Sequence, residues 1–139
     1  MKTLTFHGKR DVRVDTVPDP TIKEPTDAII RVTSSGLCGS VSSFVGALWP
    51  VHRQRRHPGH EPMGIVEAVG VDVTNIQVGD RVVIPFNISC GHCWMCTNGL
   101  LSQCETTQVH EQGTGGSLFG YTKLYGQVAG DQAEFLRVR

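Results

Sequence analysis

Four of the five cysteines fall in one short run, where Cys90, Cys93, Cys96 and Cys104 are spaced C-x2-C-x2-C-x7-C within SCGHCWMCTNGLLSQC. Two-residue spacings turn consecutive thiolates inward on one tight loop, and the longer return lets the fourth close a tetrahedron about Zn2+. Gly91 and Gly99 allow the backbone to bend as such a knuckle requires. Four thiolates fill the coordination shell and leave no position for water or substrate, so an ion held here is expected to be structural. Two other fates of these residues stay open. An iron–sulfur cluster is one, although the ferredoxin run has a three-residue last spacing followed by Pro, whereas here seven residues intervene and Glu105 follows. Two disulfides are the other, and a reducing cytosol disfavours them. His92, inside the knuckle, is expected to face solvent, since four cysteines already suffice.

The fifth cysteine, Cys38, lies in SSGLCGS, and His60-Glu61 lies in HPGHEPMGIVEAVG, directly before an apolar run. Taken singly, Cys38 reads as a small buried hydrophobe and His60 as an ordinary polar residue. Together, once the knuckle has taken four thiolates, a thiolate, an imidazole and a carboxylate remain, each at a Gly-rich turn beside a strand end. That set suits a catalytic zinc with an open position for water or an oxygen ligand.

The elements that must position these groups are mostly short strands. Leu4 and Phe6 alternate with Thr3 and Thr5, and Val12 and Val14 with Arg13 and Asp15, which predicts two half-buried strands joined by a turn over His7–Asp11. Pro18, Pro20 and Pro25 mark a crossing loop. Further strands are expected over Ala28–Val32, Ile65–Val69, Arg81–Pro85 and Ala133–Val138, and one short helix over Gly39–Val45. The fold class is therefore mainly β, a partly open barrel with few short helices and a zinc-knuckle lobe at about residues 87–106. The glycines between Gly113 and Gly116 do not read as a phosphate loop: no apolar strand precedes them, and Leu118 stands where a G-x-G-x-x-G pattern needs its third glycine.

With 139 residues, 39% of them hydrophobic, the chain is expected to form a single globular domain. Thirteen basic and thirteen acidic residues cancel, which argues against nucleic acid or an anionic membrane as partner. Arg53, Arg55 and Arg56, flanked by His52 and His57, read as a solvated loop. No apolar stretch reaches the ~20 residues of a membrane span, and no signal-peptide core opens the chain, so the expected location is cytoplasmic.

The segments GLCGS around Cys38, PGHEPMGIVEAVG around His60, VGDRVVIPFNISCGHCWMC and the closing AEFLRV resemble the zinc-dependent medium-chain alcohol dehydrogenases, nearest the formaldehyde dehydrogenase-like branch. The resemblance runs from Met1 to Arg139 and covers that family's N-terminal, GroES-like domain. It implies that Cys38 and His60 are first ligands of a catalytic zinc, that Glu61 is its adjacent carboxylate, and that Cys90, Cys93, Cys96 and Cys104 hold a structural zinc. It implies alcohol/aldehyde interconversion with NAD(P), the cofactor lying between this domain and a Rossmann domain, with zinc as the Lewis acid. A small alcohol or aldehyde is the implied substrate.

Three departures shape the expectations. The Rossmann domain and a further zinc ligand are not in the 139 residues, so the isolated chain is expected to be inactive, with an uncovered cleft face open to self-association. After Cys38, relatives read C-G-S-D-x-H, whereas here Ser40 is followed by Val41, Ser42 and Ser43. Ser40 stays a weak catalytic candidate, while Val41 and Ser43 cannot act as general bases. Finally, Val41–Pro58 does not resemble the family, although both flanks do. A compensated frameshift would explain this, and DNA whose neighbouring frame encodes neither D-x-H nor G-D-I-L would refute it; ordinary loop divergence is the alternative. Two other functional readings stand beside the enzyme-domain one: a stand-alone zinc-stabilised binding module, and a subunit needing a separate Rossmann partner.

Overall fold

The structure is a computed structural model that describes residues 1–41, 57–113 and 115–139. Among the described residues six strands make up two open antiparallel sheets. Strands β1 (Lys2–Gly8) and β2 (Asp11–Thr16) form a ribbon, and β3 (Ala28–Ser35), β4 (Pro62–Val69), β5 (Arg81–Val83) and β6 (Phe135–Val138) form a sheet of order β5-β4-β3-β6. The predicted strands are all present, with Arg81–Pro85 shortened at its end to Arg81–Val83 and Ala133–Val138 shortened at its start to Phe135–Val138. Among the described residues the helical elements are short, and they include α1 (Trp94–Thr97). Residues 39–41 are helical, and the rest of the helix predicted over Gly39–Val45 lies outside the described residues, as does most of the Val41–Pro58 stretch. Among the described residues no helix is long and apolar enough to cross a membrane.

The core forms where β3 is flanked on both sides. Ile30 pairs with Val66 of β4 and Leu136 of β6, and this row packs with Ala28, Ile84, Ile88 and Phe119 into one buried cluster. At the start of β3, Asp27 is fully buried. Its carboxylate accepts the N–H groups of Lys23 and Glu24, both at 2.9 Å, and faces Arg137 Nη1 on β6 at 3.0 Å. Burial pushes this carboxyl up, but the two N–H groups and the Arg137 guanidinium outweigh it and hold Asp27 below the usual carboxylate range. A lowered folded-state pKa contributes stability above the unfolded value and loses it as pH falls through the folded one. Asp27→Ala is therefore expected to cost about 3 kcal/mol at pH 7 by leaving Arg137 and two N–H groups unpaired. Urea melts should show that difference shrinking below about pH 4.

The β1–β2 ribbon corrects one expectation. Its buried face carries the threonines, Thr3 and Thr5 each being only 2% exposed, while Val14 is 68% exposed. The reason is what β1 docks on. Leu4 N–H donates to the Gln132 carbonyl, Glu134 N–H to the Lys2 carbonyl, and Thr3 Oγ1 lies within reach of the Gln132 carbonyl and His57 Nδ1. A face meeting backbone carbonyls and an imidazole selects hydroxyls over methyls.

The same topology assembles a site. Antiparallel pairing sets Ser35, the last residue of β3, opposite Pro62, the first of β4. Gly36 N–H extends the ladder by one bond, to the Glu61 carbonyl at 3.0 Å. The loop after β3 carries Cys38 and the loop before β4 carries His60 and Glu61, so Cys38 meets an adjacent pair more than twenty positions further along at one sheet end.

Candidate metal centres

In the knuckle, Cys90 Sγ lies 4.0 Å from Cys96 Sγ, and Cys93 Sγ lies 4.0 Å from Cys104 Sγ. All four sulfurs fall within 4.8 Å of one another. A tetrahedron with Zn–S bonds of about 2.3 Å has edges of about 3.8 Å, so the spacing suits one ion. Sulfurs bonded to each other would be about 2.05 Å apart; these are free thiols, and the two-disulfide alternative falls away. Helix α1 turns Cys96 inward and leaves Trp94 outside. His92 is exposed, as expected, its Nδ1 within 2.9 Å of the Cys90 carbonyl.

The donors are arranged for negative sulfur. Cys90 Sγ accepts from the Thr106 hydroxyl at 3.2 Å and the Cys93 N–H at 3.3 Å, and Cys104 Sγ accepts from the Cys90 N–H at 3.3 Å. Burial opposes ionisation at Cys90 and Cys104, yet these donors hold both below the ordinary thiol value. At Cys93 the Cys96 N–H is the main cause of a lowered value. Cys96 is the exception, pushed up to about 12 by burial, with the three neighbouring thiols acting in the same direction. Three thiols are held below their ordinary value and the fourth is pushed up, a donor set that a dication would complete by favouring the thiolate form of all four. The glycine run packs against this lobe: the Gly116 N–H goes to the Ser102 carbonyl at 2.8 Å, and a side chain on Gly115 would strike the same carbonyl.

The second centre brings together Cys38, His60 and Glu61, with one donor atom from each inside a 4.8 Å span. His60 is buried, Cys38 half-buried and Glu61 exposed, so the cluster opens to solvent on its carboxylate side. The His60 ring sits 5.0 Å from Tyr121 and 6.0 Å from Phe86, centroid to centroid. Its Nδ1 is buried and has no hydrogen-bond partner. Gly36 supplies room, since a Cβ there would fall on the Glu61 carboxylate. A thiol, an imidazole and a carboxylate that can converge on one point are a donor set that fits a bound metal, and the orphaned Nδ1 is costly unless the ring has a second role. Ser40 Oγ is also buried and unpartnered. Val41 is buried with its N–H on the Cys38 carbonyl at 3.0 Å, and Ser43 lies outside the described residues.

Behind this centre stands a residue that the sequence did not single out. Asp131 is fully buried, and neither of its carboxyl oxygens has a hydrogen-bond partner. Burial pushes its carboxyl up, and the Ser35 hydroxyl, the Glu61 N–H and the His60 ring offset that only in part. Asp131 also abuts Gly59, whose φ of +104° is the left-handed region and whose Cβ, if added, would meet Asp131 Oδ1 and Gln132 N. Gly59→Ala is therefore expected to cost about 1–3 kcal/mol, readable in a urea melt, and to displace His60 beside it. Phe86 and Tyr121 also went unpredicted, because ring contacts across separate loops leave no periodic trace.

One cluster is closed by four sulfurs and the other is open, with mixed donors at a sheet end, and each could hold a metal ion. Residues 24–139 match the alcohol dehydrogenase GroES-like domain, and the chain belongs to that family. It is 48% identical over 138 residues to the uncharacterized zinc-type alcohol dehydrogenase-like protein AdhB of Bacillus subtilis, covering 99% of this chain and 36% of that protein. It is 34% identical to the formaldehyde dismutase of Pseudomonas putida, covering 99% of this chain and 35% of that one. Among solved structures, alcohol dehydrogenase TADH from Thermus sp. ATN1 superposes with a TM-score of 0.87 at 38% identity, covering 99% of this chain and 37% of that one. The chain thus spans about a third of the length of the relatives it matches.

Proposed function

We propose that this chain supplies the metal-binding domain of a zinc-dependent oxidoreductase that interconverts a small alcohol and its aldehyde with NAD(P), the nicotinamide cofactor being held with a partner nucleotide-binding domain. The observation that carries this reading is the convergence of Cys38, His60 and Glu61 within 4.8 Å in a member of the alcohol dehydrogenase family. Cys38 and His60 would hold the zinc, with Glu61 as the carboxylate on the exposed side. When bound, zinc supplies Lewis acidity that lowers the pKa of an alcohol. The chain's own residues do the rest. Phe86 and Tyr121 wall the imidazole and keep water from its buried face. Ser40 is the hydroxyl nearest in sequence to Cys38 and could hydrogen-bond an alcohol oxygen, but Val41 beside it offers no acceptor, so the alcohol proton would have to leave to solvent on the exposed side. The four-cysteine knuckle holds a second, structural zinc and takes no part in the chemistry.

Cobalt substitution tests this reading. The visible bands of the ion at Cys38, His60 and Glu61 should shift when a short alcohol is added, while those of the four-sulfur site stay fixed. Bands that ignore alcohol at every concentration would overturn it.

A further inference from the structure

Two buried groups of complementary chemistry are left without partners beside the Cys38–His60–Glu61 centre. One is Nδ1 of His60, whose residue is 6% exposed; the other is the carboxyl of Asp131, whose residue is 0% exposed. They sit on neighbouring pieces of backbone. Asp131 N–H donates to the Gly59 carbonyl at 3.3 Å, one residue before His60, and Asp131 Oδ1 occupies the space into which a Gly59 side chain would project. They are not hydrogen-bonded to each other, although the imidazole lies within electrostatic reach of the carboxyl.

Buried donors and acceptors are nearly always satisfied, and two orphans in one place call for a common explanation. A metal-ligating histidine commonly gives its second ring N–H to a carboxylate, which fixes the tautomer and the ring orientation. Ser40, the buried hydroxyl beside Cys38, has no partner either, and Val41 offers no acceptor. Asp131 is then the buried carboxylate available to the ring among the described residues.

We propose that Asp131 is the positioning residue of the second metal centre: with an ion bound at His60 Nε2, the His60 Nδ1–H donates to the Asp131 carboxylate, so that a residue from the turn before β6 orients a ligand from the loop before β4. This rests on the metal-site reading above and adds to it. Gly59 has a part in it, because only a residue without a side chain leaves the carboxyl room beside the ligand loop.

Cobalt titration of the parent chain and of Asp131→Asn, each with the four-cysteine site already filled with zinc, separates the two ideas. The expected result is a second ion bound by the parent and bound 10- to 100-fold more weakly by the variant, with melting temperature and knuckle occupancy unchanged. A second ion bound equally by both overturns the role of Asp131 and leaves the metal site standing. No second ion in the parent overturns the metal site itself, and the proposal with it. Should Asp131→Asn fail to fold, nitrogen-15 spectra of the zinc-loaded parent decide. A His60 Nδ1–H that is slow to exchange and moved downfield is expected, whereas metal on Nδ1, or a freely exchanging ring proton, overturns the proposal.

Discussion

Replacing Cys104 with serine is expected to remove one metal equivalent and to melt the knuckle, lowering stability by several kcal/mol and the melting temperature by roughly 10–20 °C. The size of this effect follows from where the sulfur sits. Cys104 is fully buried, faces Cys93 Sγ at 4.0 Å and accepts the Cys90 N–H. With three thiols crowding a fourth whose proton is held to about pH 12, only a cation lets all four sulfurs coexist as ligands. The damage should spread. Thr107 donates its hydroxyl to the Ile88 carbonyl at 2.7 Å and accepts the Ser117 N–H, and Ile88 belongs to the core cluster. Cys93→Ser should behave alike, and chelation of the parent should reproduce the loss. A Cys104→Ser chain that keeps both its metal content and its melting temperature would refute the assignment.

The second large effect is expected at His60, and it divides function from stability. His60→Phe keeps an aromatic ring beside Phe86 and Tyr121 and removes the buried Nδ1 that has no partner. Affinity for the second ion should fall by more than about 100-fold, since a ligand is lost where even a supporting contact is worth 10- to 100-fold. Stability measured with that centre empty should hold or rise by about 1–2 kcal/mol, because an unsatisfied buried polar atom costs that order of free energy. A residue that weakens the fold while empty and is needed when filled belongs to a site rather than to the core. The check is a pair of measurements on one variant, a cobalt titration and a urea melt. An unchanged cobalt affinity would remove His60 from the metal centre.

How much of this was legible in the residues depends on the range of the interaction. The knuckle was readable because its ligands are close in sequence and the spacing itself carries the geometry. The strands were readable from alternation, yet alternation does not say which face is buried. In β1 the face that docks on Gln132 and His57 carries Thr3 and Thr5, buried beside Phe6 of the other face. Cys38, His60 and Glu61 were singled out by leftover chemistry and by family resemblance; their meeting is set by the Ser35–Pro62 register, which no local rule supplies. Asp131 and Asp27 look alike in the sequence, two acids just before apolar strands. Only the fold reveals that donors from Lys23, Glu24 and Arg137 converge on one oxygen of Asp27, while Asp131, beside the Ser35 hydroxyl and the Glu61 N–H, makes no hydrogen bond with either oxygen. Of the basic run, His52, Arg53, Arg55 and Arg56 lie outside the described residues. His57 and Pro58, at its end, are built into the fold by their carbonyls, which accept from Gly130 and Gln132.

The central claim is that one small β-domain carries two separate metal centres, one closed and one open. Native mass spectrometry of the chain with zinc in modest excess counts them directly. The parent should bind two ions, a Cys38→Ser and His60→Phe double variant one, and a Cys93→Ser and Cys104→Ser double variant at most one. A parent that takes up a single ion, or a Cys38→Ser and His60→Phe variant that still holds two, would contradict the account.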